Sequence, residues 1–378
     1  MSPQYQKDPR TYNNICNLFG ERFLGNSLVT ERNYERWHKQ RKIMDPAFSR
    51  TYLIGLMETF NEKAEELMEK LEEKAEGKKE FSMLTMMSRV TLDVIAKVPA
   101  TFLFPLQLAD KSGRVPYMPG KQKLIKEIQA SVRLLRRVGR ECIKQRREAV
   151  ENGKEATMDI LTQILKGDDD ENMLDNFVAF FVAGHETTAN QLSFTVMAVA
   201  QHPEILERLQ AEVDEVIGAK RHIDYEDLCK LKYLSQVLKE SLRLYPPIPG
   251  TLRWTETETV VDGIKIPANT TLNFSTYVMG RMEKFFKDPL TFNPERFSKD
   301  APKPYYSYFP FSLGPRSCIG QAFAQMEAKV VMAKLLQRFE FQLVPGQSFK
   351  LLDIGTFRPS DGVMCKLKPR SHKKDVQM

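Results

Sequence analysis

Apolar residues recur along much of the chain at helical spacing. Leu53, Leu56, Met57, Phe60, Ala64, Leu67 and Leu71 fall every three or four positions, with charged residues between them. That stripe predicts an amphipathic helix over residues 53–76, stopped at Gly77. Residues 83–98 predict a second helix. Residues 121–150 repeat the pattern with a strongly basic polar face and end near Gly153. Their charge reads as a solvated face or as a surface resting on a membrane. Residues 173–200 differ, being apolar on nearly all sides, and so predict a buried central helix. Pro203 opens the next helix and Gly218 closes it. Further helices are expected over 228–245, ended by Pro246 and Pro247, and over 323–339.

Period-two alternation is scarce. Residues 260–266 alternate around Asp262 and Gly263, a hairpin signal with a type I′ turn. Arg253 lies in a short extended run. Residues 99–120 are broken by Pro99, Pro105, Gly113, Pro116, Pro119 and Gly120, and predict irregular loop. Residues 285–308, rich in proline and aromatics, predict ordered coil, and the polar tail from Ser371 a frayed end. The pattern as a whole is mainly α with a small β part. With 378 residues, the chain predicts one large domain with two lobes, or two domains.

Composition narrows the class. A hydrophobic content of 42% supports a sizeable core and argues against disorder. The net charge of +7 and the isoelectric point near 9.0 suit an acidic protein partner or an anionic membrane surface. No basic stripe interleaved with aromatics marks a nucleic-acid site. The five cysteines are odd in number, widely spaced and without a CxxC pair, which speaks against a disulfide framework or a zinc site. The opening residues do not form a signal peptide, and the most apolar run, residues 177–184, is far short of the roughly 20 that span a bilayer. No membrane crossing is expected from this chain.

Four polar groups of residues stand out against this background. In 311–320 (FSLGPRSCIG), Cys318 sits between Gly314 and Gly320, two residues after Arg316, where a loop runs into a helix. A helix N-terminus favours the thiolate, and such a thiolate beside a cation suits haem bound through sulfur, with Arg316 on a propionate. A buried core thiol is the plainer alternative. Inside the apolar central helix, Ala183 and Gly184 precede His185, Glu186, Thr187 and Thr188. Polar groups there cost free energy unless paired, so they mark either a harmless kink or an opened ladder that admits water. Trp37 and Arg41 are one turn apart, with Asn33 or Thr30 as cap candidates. Alone they read as a partly buried Trp and a solvated Arg. Glu240 and Arg243 are i, i+3 neighbours, worth little on a surface and needing more partners if buried.

The decamer matches F-x-x-G-x-R-x-C-x-G at every fixed position. Chance would give that on the order of once in ten thousand chains of this length. It resembles the haem-thiolate loop of the cytochrome P-450 family. W-x-x-x-R at Trp37, A-G-x-E-T-T at Ala183 and E-x-x-R at Glu240 follow that family's order. The resemblance covers the chain from about Trp37 to its end and implies the P-450 fold, a large helical domain with a small sheet lobe. It implies haem b (heme) as cofactor, iron held by Cys318, and propionates held by Arg316, Trp37, Arg41 and Arg253. It makes Glu186 and Thr187 the proton-delivering pair, and Glu240, Arg243 and Arg296 a structural triad. Phe180, Ala183, Thr187, Ile248 and Thr251 become pocket residues by analogy. The implied partners are O2 and an NADPH-dependent flavoprotein reductase, and the implied place is the cytosolic face of the endoplasmic reticulum membrane.

Within the family, residues 33–41, 234–243 and 274–282 resemble the branch that hydroxylates the side chain of cholesterol, which makes a sterol the expected substrate. Compared with the family pattern, the membrane anchor, first helices and early sheet strands have no counterpart in residues 1–378, so the sheet lobe is expected to be incomplete. Residues 99–115 do not resemble the family either. The expected layout is one domain: 1–245 mostly helical, 246–310 hairpins and coil, 311–378 the cysteine loop, its helix and the last strands. The rival expectation is a truncated isoform that binds haem without turnover or not at all.

Overall fold

The computed structural model describes residues 7–75, 79–96, 122–153, 159–167, 169–302 and 305–370. The expected stop at Gly77, the loop over 99–120 and the tail from Ser371 lie outside these.

The chain opens with α1 (Pro9–Cys16), a short pair β1 (Asn17–Leu18) and β2 (Glu21–Arg22), and α2 (Tyr34–Met44). Asn33 caps α2, its side chain accepting from the amide of Arg36. The stripe from Leu53 divides into α3 (Arg50–Gly55) and α4 (Met57–Glu72), with the joint at Leu56. Then come β3 (Phe81–Ser82), α5 (Met83–Ala96), α6 (Gln122–Glu151), α7 (Ile160–Ile164) and α8 (Asp170–Ala200). Pro203 does begin the following helix, α9 (Pro203–Val216), and Gly218 beyond it takes a left-handed φ of 56°. The predicted 228–245 helix is two, α10 (Tyr225–Lys230) and α11 (Lys232–Leu244).

The β part follows as β4 (Gly250–Thr255), β5 (Thr259–Val261), β6 (Ile264–Ile266) and β7 (Thr270–Ser275). β5 and β6 form the expected hairpin, with Asp262 and Gly263 both at positive φ as a type I′ turn requires. After α12 (Thr276–Met279) and coil, α13 (Gln321–Arg338) leads into β8 (Phe339–Leu343), β9 (Leu351–Asp353), β10 (Phe357–Pro359) and β11 (Met364–Pro369). Sheets are small. β4 pairs antiparallel with β7 from Gly250↔Ser275 to Thr255↔Thr270, and among the described residues neither has a second strand neighbour. β11 sits between β3 and β8.

Two apolar cores organise the helices. The larger joins α4, α5, α9, α11 and α13 to the second half of α8, through residues such as Phe60, Met87, Phe194, Leu209, Val237 and Val331. The smaller joins α2 and α6 to the first half of α8, through Met44, Ile128, Val132, Leu174 and Val178. The central helix expected from its all-round apolar pattern is therefore α8, shared by both cores.

The basic face of α6 is largely solvated, as expected, with Lys123, Lys126, Arg133, Arg137, Arg140 and Lys144 exposed. Several of its arginines also meet acids of neighbouring elements. Arg136 is buried and bonds Asp175 at 2.9 Å and Glu171 at 2.5 Å, while Arg146 and Arg147 reach Asp159 and Asp170. Of these cations Arg136 alone is buried, and its charge is met within the fold by Asp175 and Glu171. Among the described residues no helix is long and apolar enough to cross a membrane.

Candidate active site

α8 is buried from Met173 to Ala179, apart from the half-buried Phe177, and again from Thr188 to Val199. Between these stretches, Phe180 to Thr187 are half-buried or, at Ala183, exposed. The polar motif thus fills an open window where one core gives way to the other. Gly184 is needed there for close approach, since an added Cβ would lie 2.7 Å from Cδ1 of Ile95 on α5. The helix continues through the window, and the Thr187 hydroxyl donates to the Ala183 carbonyl at 2.7 Å. His185, without a proposed role, is held neutral by burial, its pKa lowered to about 4. Glu186 is pushed the other way by burial, and Thr356 and Arg358 pull it partly back.

The cysteine loop is folded by its own backbone. Cys318 N–H donates to Phe311 C=O at 2.8 Å and Ser317 N–H to Gly314 C=O at 3.0 Å, with Gly314 at φ 78°. α13 begins just beyond, at Gln321. Cys318 is exposed to the open space beside it yet walled by protein on its other sides. Burial is the largest influence and raises the thiol pKa, while the Gly320 N–H and Arg41 oppose it. The helix N-terminus alone, which suggested a lowered value, does not outweigh this loss of solvation.

Contacts link the loop to the window. Ile319 packs in the same cluster as Phe180, Phe181 and Val182 of α8. Phe48 stacks on Phe180 with centroids 5.6 Å apart, and its ring lies 3.9 Å from where a Cβ on Gly320 would stand.

A group of cations borders the loop. Arg41 donates to Ser317 C=O at 2.8 Å and to Asp45 at 2.7 Å. Arg316 lies 4.2 Å from the ring centre of Trp37, which is buried. Arg316 donates to the Glu31 and Arg32 carbonyls, and Arg253, on β4, to Thr251 Oγ1 and the Leu252 carbonyl. Lys7, which sequence reasoning missed, reaches the Val29 carbonyl. The hydrogen bonds of these last three all end on neutral oxygens. Burial lowers the pKa of each, and mutual repulsion adds to it at Arg316, brought down to about 10, and at Lys7. Tyr12, also missed, is raised by burial beside Arg253 and Arg316. Gathered cations whose hydrogen bonds, among the described residues, end on neutral oxygens, with the Glu31 charge also acting on Arg316, form a receptor for anionic oxygens. Together with the thiol of Cys318, on which Arg41 acts, this donor set fits haem: Cys318 would hold the iron and the cations the carboxylates.

The triad joins α11 to the coil that follows α12. Arg243 Nε and Nη2 each donate to Glu240 at 2.7 Å, with both side chains fully buried. Arg296 Nε reaches Glu240 Oε1 at 3.3 Å, and the Asn293 amide reaches the same oxygen at 2.8 Å. Arg243 also bonds the carbonyls of Gly280, Pro289 and Thr291, holding the coil that leads toward the cysteine loop. Of the analogy-based pocket residues, Phe180 and Ala183 lie in the window and Thr251 beside Arg253. Ile248 is exposed ahead of β4, its carbonyl accepting from Thr276. A further acid escaped notice: Glu327 on α13 is buried, and among the described residues neither carboxyl oxygen has a hydrogen-bond partner within ordinary geometry. Burial raises its pKa well above the usual range, and only the nearby Thr188 hydroxyl offsets this.

The cytochrome P450 family model matches residues 4–112 and 107–373. Cytochrome P450 4d2 of Drosophila melanogaster is 31% identical over 410 residues, which span 96% of this chain and 81% of the fly protein. Cytokinin hydroxylase of Arabidopsis thaliana is 32% identical over 381 residues, covering 92% of this chain and 73% of the plant protein. The crystal structure of a cytochrome P450 (CYP102L1) superposes with a TM-score of 0.83 at 24% identity, over 98% of this chain and 90% of that one. By the extent of these matches, and with the mainly helical fold they share, the chain belongs to the cytochrome P450 family.

Proposed function

We propose that the chain is a haem-thiolate monooxygenase that hydroxylates a sterol on its side chain, as cholesterol 24-hydroxylase does. Family membership supplies the coarser part: haem with a cysteine-thiolate ligand to iron, and monooxygenation as the reaction class. Cys318 is the ligand in this reading. The observation that carries it is the open window of α8, with Glu186 and Thr187, joined through Phe180, Phe48 and Ile319 to the cysteine loop.

When bound, haem supplies oxygen activation and the attack on an unactivated C–H bond. Overall, one oxygen atom of O2 enters the substrate and the other leaves as water, with two electrons and two protons consumed. The protein's own residues do the remainder. Arg316, Arg253, Arg41 and Trp37 fix the cofactor's carboxylate edge. Thr187 and Glu186 hold protons at Oγ1 and the carboxyl for delivery into the cleft. Phe180, Ala183 and Ile248 form apolar walls that orient the substrate, with Thr251 beside them as a polar pocket residue bonded to Arg253. An NADPH-dependent flavoprotein reductase is the electron donor, for which the net charge of +7 suits an acidic docking face, and the cytosolic face of the endoplasmic reticulum is the place of action.

The sterol rests on the three stretches 33–41, 234–243 and 274–282. The relatives compared above are an insect P450 and a cytokinin hydroxylase, and neither name carries a sterol. Titration of the haem-loaded protein with cholesterol, a long-chain fatty acid and a cytokinin separates these classes. Cholesterol should shift the Soret band and the others should not. A shift with either of the others and none with cholesterol would retire the sterol reading.

A further inference from the structure

The turn between β9 and β10 meets α8 at its open window. Thr356 in that turn donates its hydroxyl to Glu186 Oε1 at 2.6 Å, across 170 residues of sequence. The turn is held by its own bonds: Ile354 N–H to Thr356 C=O at 3.1 Å, and Gly355 N–H to Asp353 at 3.0 Å, with Gly355 at φ 106°. On the far side, Phe357 N–H donates to Pro247 C=O at 2.7 Å, and the Phe357 ring packs edge-on against Tyr277. Thr356 is thus placed by backbone on both sides, and its hydroxyl has a fixed aim. Arg358, two residues on, is the cation that attracts Glu186. Thr356 is half-buried, while Asp353 and Gly355 beside it are exposed.

We propose that Thr356 is the positioning residue for Glu186, holding its carboxyl, with Arg358 nearby, where the β9–β10 turn meets α8. The hydroxyl donates to the carboxylate when Glu186 is charged. Its oxygen can also accept from the carboxyl O–H when Glu186 is protonated, but the bond to the charged form is the stronger, so the contact favours the carboxylate. Glu186 then collects protons at this turn and presents them to the cleft. This deepens the reading of Glu186 as a proton donor and rests on it.

The test uses Thr356→Val, which removes the hydroxyl at nearly constant volume, and Thr356→Ser, which keeps it. Two quantities are read in the haem-loaded full chain. One is product per NADPH consumed, with cholesterol. The other is the infrared titration of the Glu186 carboxyl, identified by its loss in Glu186→Gln. Val should move that titration upward by about one pH unit, since a hydrogen bond to the charged form is lost. Val should also lower product per NADPH several-fold, and Ser should restore both. A merely structural role would not move the titration, nor be rescued by Ser in step with it. If Glu186→Gln leaves product per NADPH unchanged, the donor reading of Glu186 falls and this inference with it. If Glu186→Gln lowers the yield while Thr356→Val changes neither quantity, the inference alone is overturned.

Discussion

Glu240 accepts four hydrogen bonds in a fully buried site: two from Arg243, one from Arg296 and one from the Asn293 amide. Replacing it by Ala leaves the Arg243 guanidinium buried without its counter-charge. Removing one partner of such a pair costs about 3–5 kcal/mol, because the remaining charge stays desolvated. That is a large part of the ~5–15 kcal/mol by which folded domains are stable. Arg243 keeps its bonds to the Gly280, Pro289 and Thr291 carbonyls, which places Glu240→Ala toward the lower half of that range. Arg296→Ala should cost less, about 1–2 kcal/mol, since its bond to Glu240 is long and its side chain reaches solvent. Guanidinium unfolding followed by far-ultraviolet circular dichroism, with kinetic haem loss in parallel, measures both. Because Arg243 clamps the coil that leads toward the cysteine loop, Glu240→Ala should also release haem faster. A loss below 1 kcal/mol for Glu240→Ala, or an equal loss for both variants, would refute the reasoning.

The other predictions concern two α8 contacts. Burial raises the Glu327 pKa, so the folded state keeps a proton that the unfolded state releases. Its cost is absent below the unfolded pKa and grows as pH rises toward the folded one, by about 1.4 kcal/mol for each tenfold difference in proton affinity. Glu327→Gln should therefore gain stability relative to the unaltered protein between pH 5 and pH 8, and a pH-independent difference in melting would contradict this. Thr187→Ala should keep the carbon monoxide spectrum but lower product per NADPH by about tenfold or more, with peroxide released instead. Tight coupling in that variant would remove Thr187 from proton delivery.

Local chemistry was legible wherever the cause is local. The Asn33 cap, the Pro203 start, the Gly218 end and the Asp262–Gly263 turn each depend on a few adjacent residues, and each stands where the sequence put it. The central role of α8 was legible because all-round apolarity leaves a helix nowhere to face but inward. The break at Leu56 did have a local mark, the adjacent Gly55, which the continuous apolar stripe outweighed; the break at Leu231, between Lys230 and Lys232, has neither Gly nor Pro beside it and was not legible. The burial of Arg136 on α6 was not legible because its partner Asp175 lies far along the chain. The Cys318 thiol was expected to be acidic from its helix N-terminus, and its burial, a tertiary property, reverses the direction. Thr356 and Glu327 carry no signal in their own neighbourhoods, because what singles them out is contact with α8.

The central claim is that Cys318 binds haem iron as a thiolate. The measurement is the absorption spectrum of the reduced, haem-loaded protein under carbon monoxide, for the unaltered chain and for Cys318→Ala. The account predicts the red-shifted Soret band of thiolate ligation in the first and its loss in the second, with Cys16→Ala, Cys142→Ala, Cys229→Ala and Cys365→Ala unchanged. The same red-shifted band in Cys318→Ala would contradict it.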